Sequence, residues 1–359
     1  MIRKSVLLFA VLPSIALASI DDVQLPPGFA IEEYADVPKA RSLALGDKGT
    51  LFVSNRKGRD VYAVVENADG STRTVKLLSG MSTPNGIAFH DGDLYVAEID
   101  RVYRYADIED NLDAAPEGEL LDIDLPSDRH HGWRYIGFGP DNKLYISIGA
   151  PCNVCDEFGY AQIIRMNADG SERETFASGI RNSVGFTWHP TTNELWFTDN
   201  GRDMLGDDLP PCELNHAPRA GLHFGYPYCH GGDILDPKYG KGRECENYTP
   251  PVQQLGPHVA PLGVKFYTGD MFPAEYQNQV FIAEHGSWNR SEKIGYRVTM
   301  VRLEGNRAVS YEPFAFGWLQ GQSVSGRPVD LIVKDDGSML VSDDLAGKIY
   351  RISYDDKTR

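Results

Sequence analysis

Beyond Ala18 no stretch of this chain is apolar for long enough to cross a bilayer as a helix, and helical periodicity is weak throughout. A polytopic membrane protein and a helical bundle are both excluded. Cations are scarce: 35 Lys and Arg stand against 51 Asp and Glu, for a formal net charge of −16. Such a surface repels a phosphate backbone, so no nucleic-acid partner is expected. Cysteine is sparse and odd in number, five in 359 residues. Turn chemistry, by contrast, is plentiful. The 36 Gly and 22 Pro accompany 42% hydrophobic residues, the balance of a globular, turn-rich chain.

Residues 1–18 read as a leader: Arg3 and Lys4, the apolar run VLLFAVLPSIALA, then small residues at Ala16 and Ala18. The run contains Pro13 and is short for a spanning helix. Its removal implies a periplasmic or secreted protein with no membrane span in the mature chain. In an oxidising compartment Cys152 and Cys155 most simply form a local disulfide, and Cys229 with Cys245 closes a surface loop. Cys212 is then left over. A redox reading of Cys152-Asn-Val-Cys155 lacks its βαβ context, no His follows for haem attachment, and no second ligand pair suits zinc.

One pattern recurs six times: a short apolar strand, a Gly/Asp/Pro turn, then a strand rich in Leu, Tyr, Phe and Val. The copies begin at Arg41, Asn85, Arg134, Val184, Leu262 and Val329. Five add an outer strand, at Val61, Val102, Ile163, Val298 and Ile349. Repetition at this period in an all-β chain predicts a six-bladed β-propeller. A sandwich of hairpins has no reason to repeat an aromatic-rich strand in this way. The interval between copies four and five, residues 201–261, is far longer than the others. It is read as an excursion over one face of a single domain spanning 19–359.

Propeller sites lie where inner strands converge on the central channel. Polar residues cluster just outside those strands: Asn85 with Gly86, His131 with Arg134, Arg181 with Asn182, Asn200 with Gly201, His258, His285 with Arg290, and Arg327. Cations outnumber acids in this set although the chain is acidic. That contrast predicts a polyanionic or oxygen-rich ligand on the axis. The stretch 128–149, DRHHGWRYIGFGPDNKLYISIG, sets a His-His pair at the entrance of a rigid strand, where a general base would be held. Equally, His130 and His131 are loop residues with local hydrogen bonds alone.

The ordered set HGWRYIGFGPDNKLYISIG, GIRNSVGFTWHP, CELNHA, HVAPLGVKFY, AEHGSWNR and GRPVDLIVKDDGSMLVSDDLAGKIYRI resembles the soluble quinoprotein glucose/sorbosone dehydrogenase family, above all its sorbosone dehydrogenase-like branch. The likeness runs from about Leu25 to Tyr354. It implies a propeller binding pyrroloquinoline quinone (PQQ) and Ca²⁺, and oxidation of the anomeric or aldehyde carbon of a sugar by hydride transfer to PQQ. An external acceptor of cytochrome or quinone type would take the electrons. Alignment on the Gly-Pro-Asp turn makes His131 the base, with Arg134 beside it disfavouring the imidazolium. Arg181 and Asn182 would contact the quinone, with Arg181 also stabilising charge during catalysis. Gly201 and Arg202 would offer backbone carbonyls to Ca²⁺, and Arg327 would hold a cofactor carboxylate. Asn200, His258 and Arg290 complete the expected cofactor shell.

Some positions depart from the family's glucose dehydrogenases. A lysine after the fifth-blade strand is replaced by the run from His285 to Arg290. His258 replaces a small hydroxyl residue, Val329 a second arginine, and Arg202 a proline. Two other classes keep a place: a lactone hydrolase with a central divalent metal on carboxylates such as Asp199 and Glu98, and a non-catalytic propeller that binds a protein or glycan.

Overall fold

Strand alternation with buried inner faces leaves each repeat copy two apolar surfaces, and the copies bury them against one another. The computed structural model describes residues 20–355; the expected leader at 1–18 lies outside them. Six antiparallel sheets, four-stranded except for a fifth strand on the third, are ordered as the blades of a propeller. The six-bladed all-β expectation holds. Apart from single-turn 3₁₀ segments, the regular structure of the described residues is strand.

The core is distributed between the blades. Leu51, Val53, Leu340 and Ile349 join the sixth blade to the first; Phe52, Val61, Ile87 and Leu94 join the first to the second. Comparable clusters fill the remaining seams, with Trp196 and Phe281 completely buried. Each such side chain contributes roughly 1.5–3 kcal/mol of transfer free energy. Apolar burial therefore stabilises neighbours pairwise, and the axis is left free for polar groups.

Hydroxyls near the end of the second strand in the first, fourth and sixth blades tie each of these to its neighbour. Ser54 Oγ donates to the Asn85 carbonyl at 2.6 Å, Thr198 Oγ1 to Leu262 at 2.6 Å and Ser342 Oγ to Arg41 at 2.6 Å. The acceptor in each case belongs to the following blade.

Two features differ from the repeat pattern. The sixth blade takes its outermost strand from the other end of the chain: Phe29–Asp36 pairs antiparallel with Lys348–Tyr354. Phe29 anchors this closure, with ring centroids 4.8–5.0 Å from Phe272, Tyr276, Phe314 and Tyr354. The long interval is also more than an excursion. It supplies the outer half of the fourth blade, Pro211–Ala217 and Gln253–Pro257, and Leu222–His223 pairs in parallel with the third. The short hairpin at Cys229–His230 is what remains of a surface loop. The Cys152–Cys155 and Cys229–Cys245 disulfides form as expected, and Cys212 is free and buried.

Candidate active site

At one end of the axis the loops following the inner strands enclose a cavity of about 330 Å³. It brings together His131, Arg181, Asn182, Asn200, Gly201, His258, His285 and Arg327. Arg202 and Arg290 are not among its lining residues. Arg202 turns away to pair with Asp236 at 2.5 Å. Arg290 lies in an adjoining surface groove, where it holds the Asp207 carbonyl and pairs with Asp208 at 3.3 Å.

His131 is set by its backbone and by one carbonyl. Its φ of 49° places it in the left-handed region, where Cβ normally crowds the chain. Gly149 makes room opposite: a Cβ there would lie 2.6 Å from the His131 Cβ. His131 Nδ1 sits 2.8 Å from the Ala150 carbonyl. A carbonyl can only accept, so Nδ1 carries the hydrogen and Nε2 keeps its lone pair. Burial first, then the Arg181 guanidinium and His130, push the ring down to about 2. It is therefore neutral at any physiological pH. His130 is exposed and is not part of the cavity lining.

The expectation that Arg134 keeps His131 neutral is corrected. Arg134 is fully buried and points outward from the site, donating Nε to the Ile99 carbonyl at 2.8 Å and Nη2 to Pro126 at 2.6 Å. Arg181 supplies the charge beside His131 instead.

The Arg181–Asn182 pair is placed by Asp199, whose carboxylate accepts both backbone N–H groups at 2.8 and 2.7 Å. Asp199 is buried across the ladder from Glu213, and burial together with that second carboxylate pushes its carboxyl well above the usual range. Arg181 spends its guanidinium on the Asn153 and Asn200 carbonyls and on Asp203. Asn182 differs. Its side-chain amide makes no hydrogen bond among the described residues, although the residue is only 6% exposed and lines the cavity. An amide that opens onto the cavity with no protein partner is ready for a polar ligand.

The opposite wall is cationic. Asp344 is its hub, accepting Arg41 Nη1 at 3.1 Å, Arg327 Nε at 2.9 Å and His285 Nε2 at 3.0 Å. Burial alone would raise its carboxyl, but His285, Arg41 and Arg327 together hold it well below the usual range. Burial also pushes His285 down to about 4 against the pull of Asp344.

The profile of the family described as Glucose / Sorbosone dehydrogenase matches residues 117–351. The chain belongs to this family. A protein of Borreliella burgdorferi, described as uncharacterized, is 34% identical over 351 residues, covering 93% of this chain and 91% of its own length. A pyrroloquinoline quinone-dependent pyranose dehydrogenase of Coprinopsis cinerea is 30% identical over 230 residues, 48% of this chain; the match spans only 30% of that enzyme. Among solved structures, a Trichoderma reesei member of carbohydrate-active enzyme family AA12 superposes with a TM-score of 0.82 at 20% identity, covering 93% of this chain and 98% of that one. That likeness establishes the fold.

Against the family's glucose dehydrogenases, the departures in this dehydrogenase-family chain acquire physical content. Val329, where a second arginine is usual, is 2% exposed and packs with Val184 and Leu262. His258 Nε2 donates to the Gly206 carbonyl at 2.9 Å. Cavity residues that the sequence reading passed over include Arg41, Arg56, Trp133 and Trp288. A signal for one of them was present. Arg56 follows the strand Leu51–Asn55 just as Asn200 follows Leu195–Asp199 and His285 follows Val280–Glu284.

Proposed function

We propose that this protein is a quinoprotein oxidoreductase that oxidises the anomeric or aldehyde carbon of a sugar, with PQQ as cofactor and His131 as general base. His131 carries this reading: a neutral, buried imidazole, locked at Nδ1, with Nε2 available to the cavity. Taking a hydroxyl proton as hydride leaves the same carbon requires that form. PQQ, when bound, supplies the hydride acceptor, and an external acceptor of cytochrome or quinone type then removes the electrons.

The residues fit a polycarboxylate. Arg41, Arg56 and Arg327 bring guanidinium groups to one side, and the unpartnered Asn182 amide faces the same space. Such donors also suit negative charge that grows during reaction. Arg181 acts there by charge and by bracing Asn200. Ca²⁺ is proposed at the backbone carbonyls of Gly201 and Arg202, neither of which accepts a hydrogen bond among the described residues. A metal-dependent lactone hydrolase is less well supported. Among the described residues no three metal-ligating side chains converge, and Glu98 and Asp199 are occupied by backbone N–H groups.

Residues 19–359 are proposed as one propeller unit behind a leader at 1–18. The two disulfides support an oxidising address, periplasmic or secreted.

Adding PQQ and Ca²⁺ to the purified protein and assaying an aldose panel with an artificial electron acceptor tests the function. Turnover that needs PQQ is expected; none with any sugar or aldehyde overturns the reading. Arg327→Ala is expected to weaken PQQ binding about tenfold or more, since a charged hydrogen bond is lost. Its urea midpoint should move little, because Arg327 is more than one-third exposed. Equal losses of binding and stability would mark a structural arginine.

A further inference from the structure

Beside the main cavity, toward the first blade, lies a second space of about 160 Å³. Lys39, Arg41, Arg56, Lys57 and Arg327 line it, with Asp344 as the one carboxylate. Arg41 and Arg327 are satisfied by Asp344. The other three are not: among the described residues the side chains of Lys39, Arg56 and Lys57 make neither hydrogen bond nor ion pair. Lys39 and Lys57 are exposed, but Arg56 is half-buried and held with its guanidinium 4.2 Å over the Trp133 ring. In a chain of net charge −16, acids are plentiful, and most guanidinium groups have found one. Three neighbouring cations without a partner repel one another and gain only where an anion enters.

The chemistry of that anion follows from the donors. A guanidinium presents a planar fork that matches a carboxylate, and the stack on Trp133 leaves its edge free to donate. The lysines behind it add charge without fixed direction. Arg41, Arg56, His285 and Arg327 also line the main cavity, so one ligand reaches both spaces.

We propose that Arg56, backed by Lys39 and Lys57, is a carboxylate-binding site that extends the cavity toward the first blade. The carboxylate belongs either to the cofactor or to an acidic sugar. The first source rests on the quinoprotein reading given above; the second does not.

Calorimetric titration of the cofactor-free full chain with PQQ, and separately with glucuronate, decides between them. Arg56→Gln is expected to weaken one of the two by about tenfold or more, the worth of a charge-assisted hydrogen bond. A weaker PQQ isotherm identifies the cofactor as the source; a weaker glucuronate isotherm with PQQ unchanged identifies the substrate. Arg56→Lys keeps the charge and should recover part of the loss. Lys57→Gln, at an exposed position, should lose about twofold to fivefold, and the loss should shrink in high salt. Parental affinity for both ligands in Arg56→Gln overturns the proposal. If the parental chain binds no PQQ, the quinoprotein reading falls by itself. Glucuronate alone then decides, and absent or unaltered binding counts against Arg56.

Discussion

His131→Ala is expected to lower turnover about 10²–10⁴-fold, the range for loss of a general base, while PQQ still binds. His130→Ala should be mild, because that ring is exposed and outside the cavity lining. Single-turnover reduction of bound PQQ by an aldose separates the chemical step from binding and release. The pH profile adds a second check. In the free protein burial and Arg181 push His131 down to about 2, so protonation does not remove the base anywhere near neutrality. Carboxylates entering with the cofactor pull the value back upward. The acidic limb of kcat/KM should therefore fall below pH 6.5, the ordinary histidine value, and should vanish in His131→Ala. Near-parental reduction in that variant moves the base elsewhere, with His258 and His285 next in the same cavity.

Asp344→Ala is expected to cost roughly 3–5 kcal/mol of stability, the penalty for stripping the partner from a buried charge. Arg41 is 2% exposed and would keep only its bond to Asn85 Oδ1 at 3.1 Å. Arg327 and His285 would lose the same acceptor. Urea unfolding at neutral pH measures the loss, and a change below about 1 kcal/mol would show that Arg41 has found another partner. PQQ affinity should not fall in parallel, because removing a carboxylate makes that wall more positive. The parental protein carries the matching pH signature. Asp344 is held low by its cations, so its stabilising contribution is complete above the ordinary carboxylate value. It is lost as pH falls below that value.

The six-fold strand repeat was enough to specify a propeller, because each strand-turn-strand copy buries its apolar surfaces only against the next, and the second strand of every blade is buried along its whole length. The same repeat set polar residues at the blade ends, and seven of the expected site residues do share one cavity: His131, Arg181, Asn182, Asn200, Gly201, His258 and Arg327. Both disulfide pairs were also anticipated, Cys152–Cys155 from its short spacing and Cys229–Cys245 as the staple of a surface loop. What the chain order could not reveal was contact between its distant parts. Phe29–Asp36 looks like an isolated strand until it meets Lys348–Tyr354, and the outer half of the fourth blade was hidden by the hairpin inserted between its strands. Side-chain direction was equally invisible. Arg134 and Arg290 sit at suitable positions, yet one turns outward to carbonyls and the other braces a rim loop. Arg56 was overlooked although its place in the repeat is equivalent to that of Asn200. Whether a cation faces the axis with no partner depends on which acids fold near it. Only the closed ring brings Asp344 to Arg41, across a separation of 303 residues, and leaves Arg56 without one.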